Sequence, residues 1–233
     1  MTRAALALAA LLLAGGAAPL RVEGSGPVVV LESGQGGGDP AQWDAVARRL
    51  RPCMTVVRHD RVAAYGDAPA VHAAEVSARL RAALDAEGFG APVILVAHSL
   101  GGIYALDFAG RFPTRVRGLV LVDATSPLEP PGAFAPAAPF PPGSAEAQEE
   151  EGLGPSIAGL PALPDIPLWV LAATRHGADA ATEARWQQVQ RDTAALAPRG
   201  RFRAVEGGHA LHQEAPDAVA GAVLDIAGLS CPG

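Results

Sequence analysis

The sequence predicts an α/β protein whose central sheet is mostly parallel and covered on both faces by helices. Three observations carry this. Short runs rich in Val and Leu alternate with amphipathic helical patterns along the chain. Those runs are continuously apolar, as strands buried on both faces must be. At residues 93–97 one such run stops at His98-Ser99-Leu100-Gly101-Gly102, and a helical pattern starts at once.

Taken in order, residues 28–32 form the first clear strand and lead into Ser33-Gly34-Gln35-Gly36-Gly37-Gly38. A helix opens at Asp39 or Pro40 and carries Trp43, Val46, Ala47 and Leu50 at helical spacing. Residues 55–58 form a strand and 71–87 a long helix with Val76, Leu80 and Leu84 on one face. The strand 93–97 and helix 100–111 follow, then a buried strand over 116–122 ending at Asp123. Residues 127–167 hold eleven of the 21 prolines and a Glu-rich patch, so a cap insertion with no strand and at most one short helix is expected over 126–166. Order returns with strand 168–172, helix 182–196, strand 201–205 and a final helix over 216–229.

Composition narrows the class. A chain of 233 residues with 49% hydrophobic and 18% charged residues suits one globular domain. A net charge of −6 argues against nucleic acid or an anionic membrane as partner. The chain has neither Lys nor Asn, which removes lysine nucleophiles and N-linked glycosylation. Residues 1–18 read as a signal peptide: Arg3, an apolar run over 4–13, then small residues. That predicts a secreted or periplasmic domain over 19–233, with no stable membrane span after signal removal; the alternatives are an uncleaved anchor or an N-terminal helix of the fold.

The segment Ala97-His98-Ser99-Leu100-Gly101 has the strand–turn–helix context of a nucleophile elbow. Such a turn exposes the serine Oγ at the carboxyl edge of the sheet. It also leaves the Leu100 N–H free at a helix N-terminus, where it can stabilise an oxyanion. Ala97 stands where the usual pattern has glycine, and it fits sterically.

With the residues 28–34, Trp43, Arg58-His59-Asp60-Arg61, Tyr65-Gly66, this elbow, the run ending at Asp123, and Glu206-Gly207-Gly208-His209 in this order, the chain resembles the α/β-hydrolase fold family. The likeness covers nearly everything after residue 25 except the cap, and implies a sheet trimmed of its first two strands. It implies a triad of Ser99 as nucleophile, His209 as base and a carboxylate. Asp123 is favoured for the acid because its spacing from Ser99 is that of one family arrangement. Asp179 is the alternative, since the commoner arrangement places the acid one strand later. The resemblance makes Gln35 N–H the second oxyanion donor beside Leu100, and His98 a structural elbow residue. His212 is read as a pocket or surface residue, while His59, His72 and His176 have no supporting context.

In that fold the helix before Cys53 and the last helix share a face and run the same way. Both Cys53 and Cys231 then lie at its lower edge, either bridged or as two separate thiols. The sequence shows no metal-ligand spacing and implies no cofactor. The expected activity is cleavage of a small or medium carboxylic ester, thioester or lactone through an acyl-enzyme, with Leu128, Phe134, Phe140 and Leu153 of the cap shaping the pocket. The alternatives are a lyase or perhydrolase on the same triad, or a non-catalytic exported binding protein of this fold. Oligomeric state is left open.

Overall fold

The computed structural model describes residues 20–130 and 138–231. The signal segment 1–18 and Phe134 lie outside the described residues.

Seven strands form one sheet: β1 (Leu20–Gly24), β2 (Val28–Glu32), β3 (Thr55–His59), β4 (Val93–His98), β5 (Val116–Val122), β6 (Pro167–Ala173) and β7 (Arg199–Val205). Their order is β1-β3-β2-β4-β5-β6-β7, and all neighbours are parallel except β1, which pairs antiparallel with β3. The continuously apolar strands β2, β4 and β5 occupy the middle, and the charged β1 and β7 form the edges. The expectation of a sheet lacking its first two strands is not met: among the described residues one strand, β1, precedes β2. Residues 20–24 form an edge strand, which the sequence hid because only Leu20 and Val22 are apolar, Val22 is exposed, and Glu23 is held by ion pairs with Arg58 and Arg51.

Helices cover both faces. On one, α1 (Asp44–Leu50) and α7 (Pro216–Ala227) pack Val46, Leu50, Val219 and Val223 against Leu31, Val96 and Val122. On the other, α2 (Ala73–Ala86), α3 (Gly101–Arg111) and α5 (Ala180–Ala194) pack Leu80, Leu84, Leu106 and Phe108 against Leu95, Leu121 and Val170. The short α6 (Leu211–Glu214) precedes α7. Among the described residues, no helix is long and apolar enough to cross a membrane.

The cap departs from expectation. It contains α4 (Ala145–Ala158), a 14-residue helix capped by Ser144, whose side chain accepts from Ala147 N–H. Its signal was hidden because it buries polar side chains: Glu149 and Gln148 face inward. An inverted amphipathic pattern does not register as a core helix. The helix is docked firmly, since Val71 N–H donates to Gln148 O at 2.9 Å and Ala73 N–H to Ser156 Oγ at 2.9 Å. Leu153 packs with Tyr65, Val76 and Leu100, whereas Leu128 is largely exposed.

Cys53 and Cys231 are bridged, with Cα atoms 5.5 Å apart. The bond ties the end of α1 to the chain end beyond α7 and closes a loop of sequence separation 178. Reduction, or Cys53→Ser with Cys231→Ser, is expected to lower stability by about 2–4 kcal/mol, measured by urea unfolding with and without reductant.

Candidate active site

The sheet's carboxyl edge gathers the predicted residues. Ser99 follows β4 directly with φ 52°, a left-handed conformation that costs a non-glycine residue energy and persists only where neighbours enforce it. They do so here: Thr125 N–H and Gly102 N–H both donate to Ser99 O, at 3.0 and 2.9 Å. A Cβ on Gly101 would collide with the Ser33 carbonyl oxygen, so the turn demands glycine there. A Cβ on Gly34 would stand 3.0 Å from Ser99 Cβ, which places the glycine-rich loop directly against the elbow. Ala97 is accommodated as a fully buried core residue.

Asp123, at the end of β5, is fully buried with φ 44°. Its Oδ1 accepts from Ala173 N–H and Trp186 Nε1–H, both at 2.8 Å. Its Oδ2 accepts from His209 Nδ1 at 2.7 Å and His176 Nε2 at 2.8 Å. Burial alone would raise its proton affinity. The hydrogen bonds from His176 and His209 outweigh burial and hold the carboxyl well below its usual range. Asp179 lies elsewhere: it is exposed and caps α5, accepting from Thr182 N–H at 2.9 Å.

His209 sits in the turn after β7, with its side chain half exposed. His98 fixes its backbone, donating from Nε2 to His209 O at 2.9 Å. Burial, then the neighbouring His212 and His209, push His98 down to about 3, so this donor is a neutral ring. His212 is no surface residue. It is buried, stacked near Trp43 and His98 and held at 3.1 Å by Gln42 Oε1; burial lowers it to about 4. Among the described residues no hydrogen bond joins Ser99 Oγ to His209; such contacts commonly tighten only when substrate binds.

The loop carrying Gln35 is clamped from two sides. Arg61, buried, donates from Nη1 to Glu32 Oε1 and Ser33 O, both at 2.8 Å, from Nη2 to Gly34 O, and from Nε to Glu149 Oε1 at 2.9 Å. Glu149, from α4, also accepts Tyr65 O–H at 2.6 Å and Gly36 N–H at 2.7 Å. His59 Nδ1 lies 2.5 Å from Glu32 Oε2. Burial opposes charge on Glu32 and Arg61, yet their mutual attraction, with His59 and Glu149, lowers Glu32 and raises Arg61. Gln35 itself reaches α4, its Nε2 donating to Glu146 O and Glu150 Oε2 at 3.2 Å. The N–H groups of Gln35 and Leu100 have no hydrogen-bond acceptor among the described residues.

Sequence reasoning passed over His176, Glu183, Trp186 and Glu149. For His176 the signal was position: it lies three residues past β6, near where the commoner family arrangement puts its acid. The others give no local cue. Asp123, His176 and His209 also present ligand atoms within 4.8 Å of one another, a set suited to a transition ion. The sequence spacing had given no hint of it. A cation there would have to displace both hydrogen bonds to Asp123 Oδ2.

A family model for the alpha/beta hydrolase fold matches residues 33–153. The chain belongs to the α/β-hydrolase fold family. Solved structures agree on the architecture. This α/β-hydrolase is similar to a thermophilic esterase from Thermogutta terrifontis, at 18% identity and TM-score 0.68 over 89% of this chain and 91% of that one. It is also similar to a putative non-heme bromoperoxidase from Mycobacterium tuberculosis, at 19% identity and TM-score 0.66 over 91% and 95%. A third similar structure is an enzyme described as recognising and ring-cleaving the Pseudomonas quinolone signal, at 20% identity and TM-score 0.68 over 90% and 95%. At these identities the likeness shows the fold. No curated protein matches the sequence.

Replacing Arg61 with Ala strands the buried carboxylates of Glu32 and Glu149. Stability is expected to fall by about 3–5 kcal/mol, read by urea denaturation at neutral pH.

Proposed function

We propose that this α/β-hydrolase is a serine hydrolase cleaving a small or medium carboxylic ester, thioester or lactone through an acyl-enzyme. The observation that carries the reading is the 2.7 Å bond from His209 Nδ1 to the buried Asp123 carboxylate, beside a serine held in a left-handed turn. That bond fixes the tautomer in which His209 Nε2 is free to take the Ser99 proton. Ser99 Oγ attacks the acyl carbon, and the Gln35 and Leu100 N–H groups receive the oxyanion. Each such donor is worth about 3 kcal/mol of barrier. His209 then protonates the leaving group. Water, deprotonated by His209, releases the acid and restores Ser99. The disulfide supports the proposal of an exported protein, since such bonds persist in oxidising compartments.

A fluorophosphonate probe is expected to label the folded wild type and not Ser99→Ala; absence of wild-type labelling would sink the reading. Asp123→Asn is expected to lower kcat on p-nitrophenyl esters by about 10⁴-fold. Asp179→Asn should leave kcat within twofold of wild type, as an exposed helix cap bonded to Thr182 would; a large loss there would reassign the acid. The similarity to a putative bromoperoxidase favours one further assay, peroxide-dependent halogenation with a carboxylic acid present.

A further inference from the structure

The loop carrying Gln35 and the turn carrying His209 leave the sheet on strands that do not touch. The loop follows β2, the turn follows β7, and β4, β5 and β6 lie between them. Strand pairing therefore does not fix one against the other. A run of side chains spans the gap. Gln42 lies in the single 3₁₀ turn Pro40–Trp43, just before α1. It packs against the loop so closely that a Cβ on Gly38 would stand 2.5 Å from its Nε2. That Nε2 donates to Ser33 Oγ at 3.2 Å and to Asp39 O at 3.1 Å, with Gly37 O at 3.4 Å. Trp43 Nε1–H also donates to Ser33 Oγ, at 3.1 Å. With its amide nitrogen committed to oxygens, Gln42 turns Oε1 towards His212 Nε2, 3.1 Å away. A carbonyl oxygen only accepts, so Nε2 carries the ring proton. Gln213 Nε2 stands farther off, at 3.4 Å. The buried His212 ring has its centroid 4.6 Å from that of Trp43 and 4.4 Å from that of His98, and His98 Nε2 donates to His209 O at 2.9 Å.

We propose that Gln42 and His212 are a positioning pair: their hydrogen bond holds the loop bearing the Gln35 N–H in register with the turn bearing His209. This rests on the reading of Gln35 as oxyanion donor and His209 as base. Neither Gln42 nor His212 takes part in the acyl transfer outlined above. Packing alone does not call for an imidazole at 212, since a hydrocarbon ring fills such a place without the cost of burying polar nitrogens. His212 bears that cost, for its Nδ1 has no partner among the described residues. What the imidazole adds over a hydrocarbon is the Nε2–H held by Gln42. Acyl transfer needs the oxyanion donor and the base on one substrate at once, and a 1 Å misplacement costs on the order of 10²-fold in rate. Arg61 ties the loop to the cap helix; the Gln42–His212 bond ties it to α6 and so to the histidine turn.

The test removes the bond while keeping bulk, in His212→Phe and Gln42→Leu, and restores a donor near the place of Nε2 in His212→Gln. The readout is kcat on a p-nitrophenyl ester per active site, the sites being counted by fluorophosphonate labelling. It is expected to fall about 10-fold in His212→Phe and in Gln42→Leu, with KM within about twofold of wild type. The double variant is expected to lose less than the two single losses combined, and His212→Gln to recover most of the loss. A merely structural role would shrink the labelled fraction and leave kcat per labelled site unchanged; that result overturns the proposal. Hydrogen–deuterium exchange at the amides of residues 34–38 gives a readout independent of activity. It is expected to quicken several-fold in His212→Phe, although residue 212 lies 170 positions from Gln42 in the chain, and to stay near the wild-type rate in His212→Gln. Equal exchange in wild type and His212→Phe overturns the pair. If His212→Phe does not fold, ¹⁵N NMR of the wild-type ring decides: a proton on Nδ1 with Nε2 bare leaves nothing to donate to Gln42 and overturns the assignment. Should the wild type show no Ser99-dependent labelling, the hydrolase reading falls, and the exchange rates still decide whether this bond holds the loop.

Discussion

One buried carboxylate organises the carboxyl edge of the sheet in this protein. Asp123 is removed from water, and a charge there survives only with its acceptor sites filled. Filling them takes a backbone N–H from the end of β6, an indole from α5, and two imidazoles from separate loops. These elements lie far apart in sequence, and strand pairing brings their ends together. The donors that one anion needs are thus recruited from the adjacent carboxyl ends of β5, β6 and β7 and from α5. The parallel sheet supplies the scaffold, because its neighbouring strands end side by side.

The opposite flank of the site is set by a second buried charge group. Arg61 joins the end of β2, the Gln35 loop and the cap helix, with its charge balanced by Glu32 and Glu149. Left-handed glycines at 36, 37 and 38 let that loop curl, but glycine alone leaves it floppy. The guanidinium, holding two loop carbonyls, pins that loop in place.

The sequence made the architecture legible wherever burial was apolar. Strands β2 to β6 and helices α1, α2, α3, α5 and α7 declared themselves through continuous or periodic Val, Leu and Ala. The elbow at Ser99 was readable because strand, serine and glycines are contiguous, and Asp123 because it closes a buried strand. The failures share one physical cause. Strand β1 is an exposed edge, helix α4 buries its acids, and His176 gains its meaning from Glu183 and from Asp123, 53 residues away. Long-range polar pairing leaves no period in a chain. The disulfide was open on the same grounds, since thiol pairing depends on where two helices end.

The contact between Glu149 and Gly36 N–H has an evolutionary reading. Caps are often treated as interchangeable modules that tune substrate choice while the chemistry stays put. Here the insertion contributes an acceptor to the backbone of the loop beside Ser99, across 113 residues of sequence. Grafting a foreign cap would therefore remove a contact that holds this loop. The same helix also meets Gln35 through Glu146 and Glu150, so a new cap would have to rebuild more than one contact to this loop.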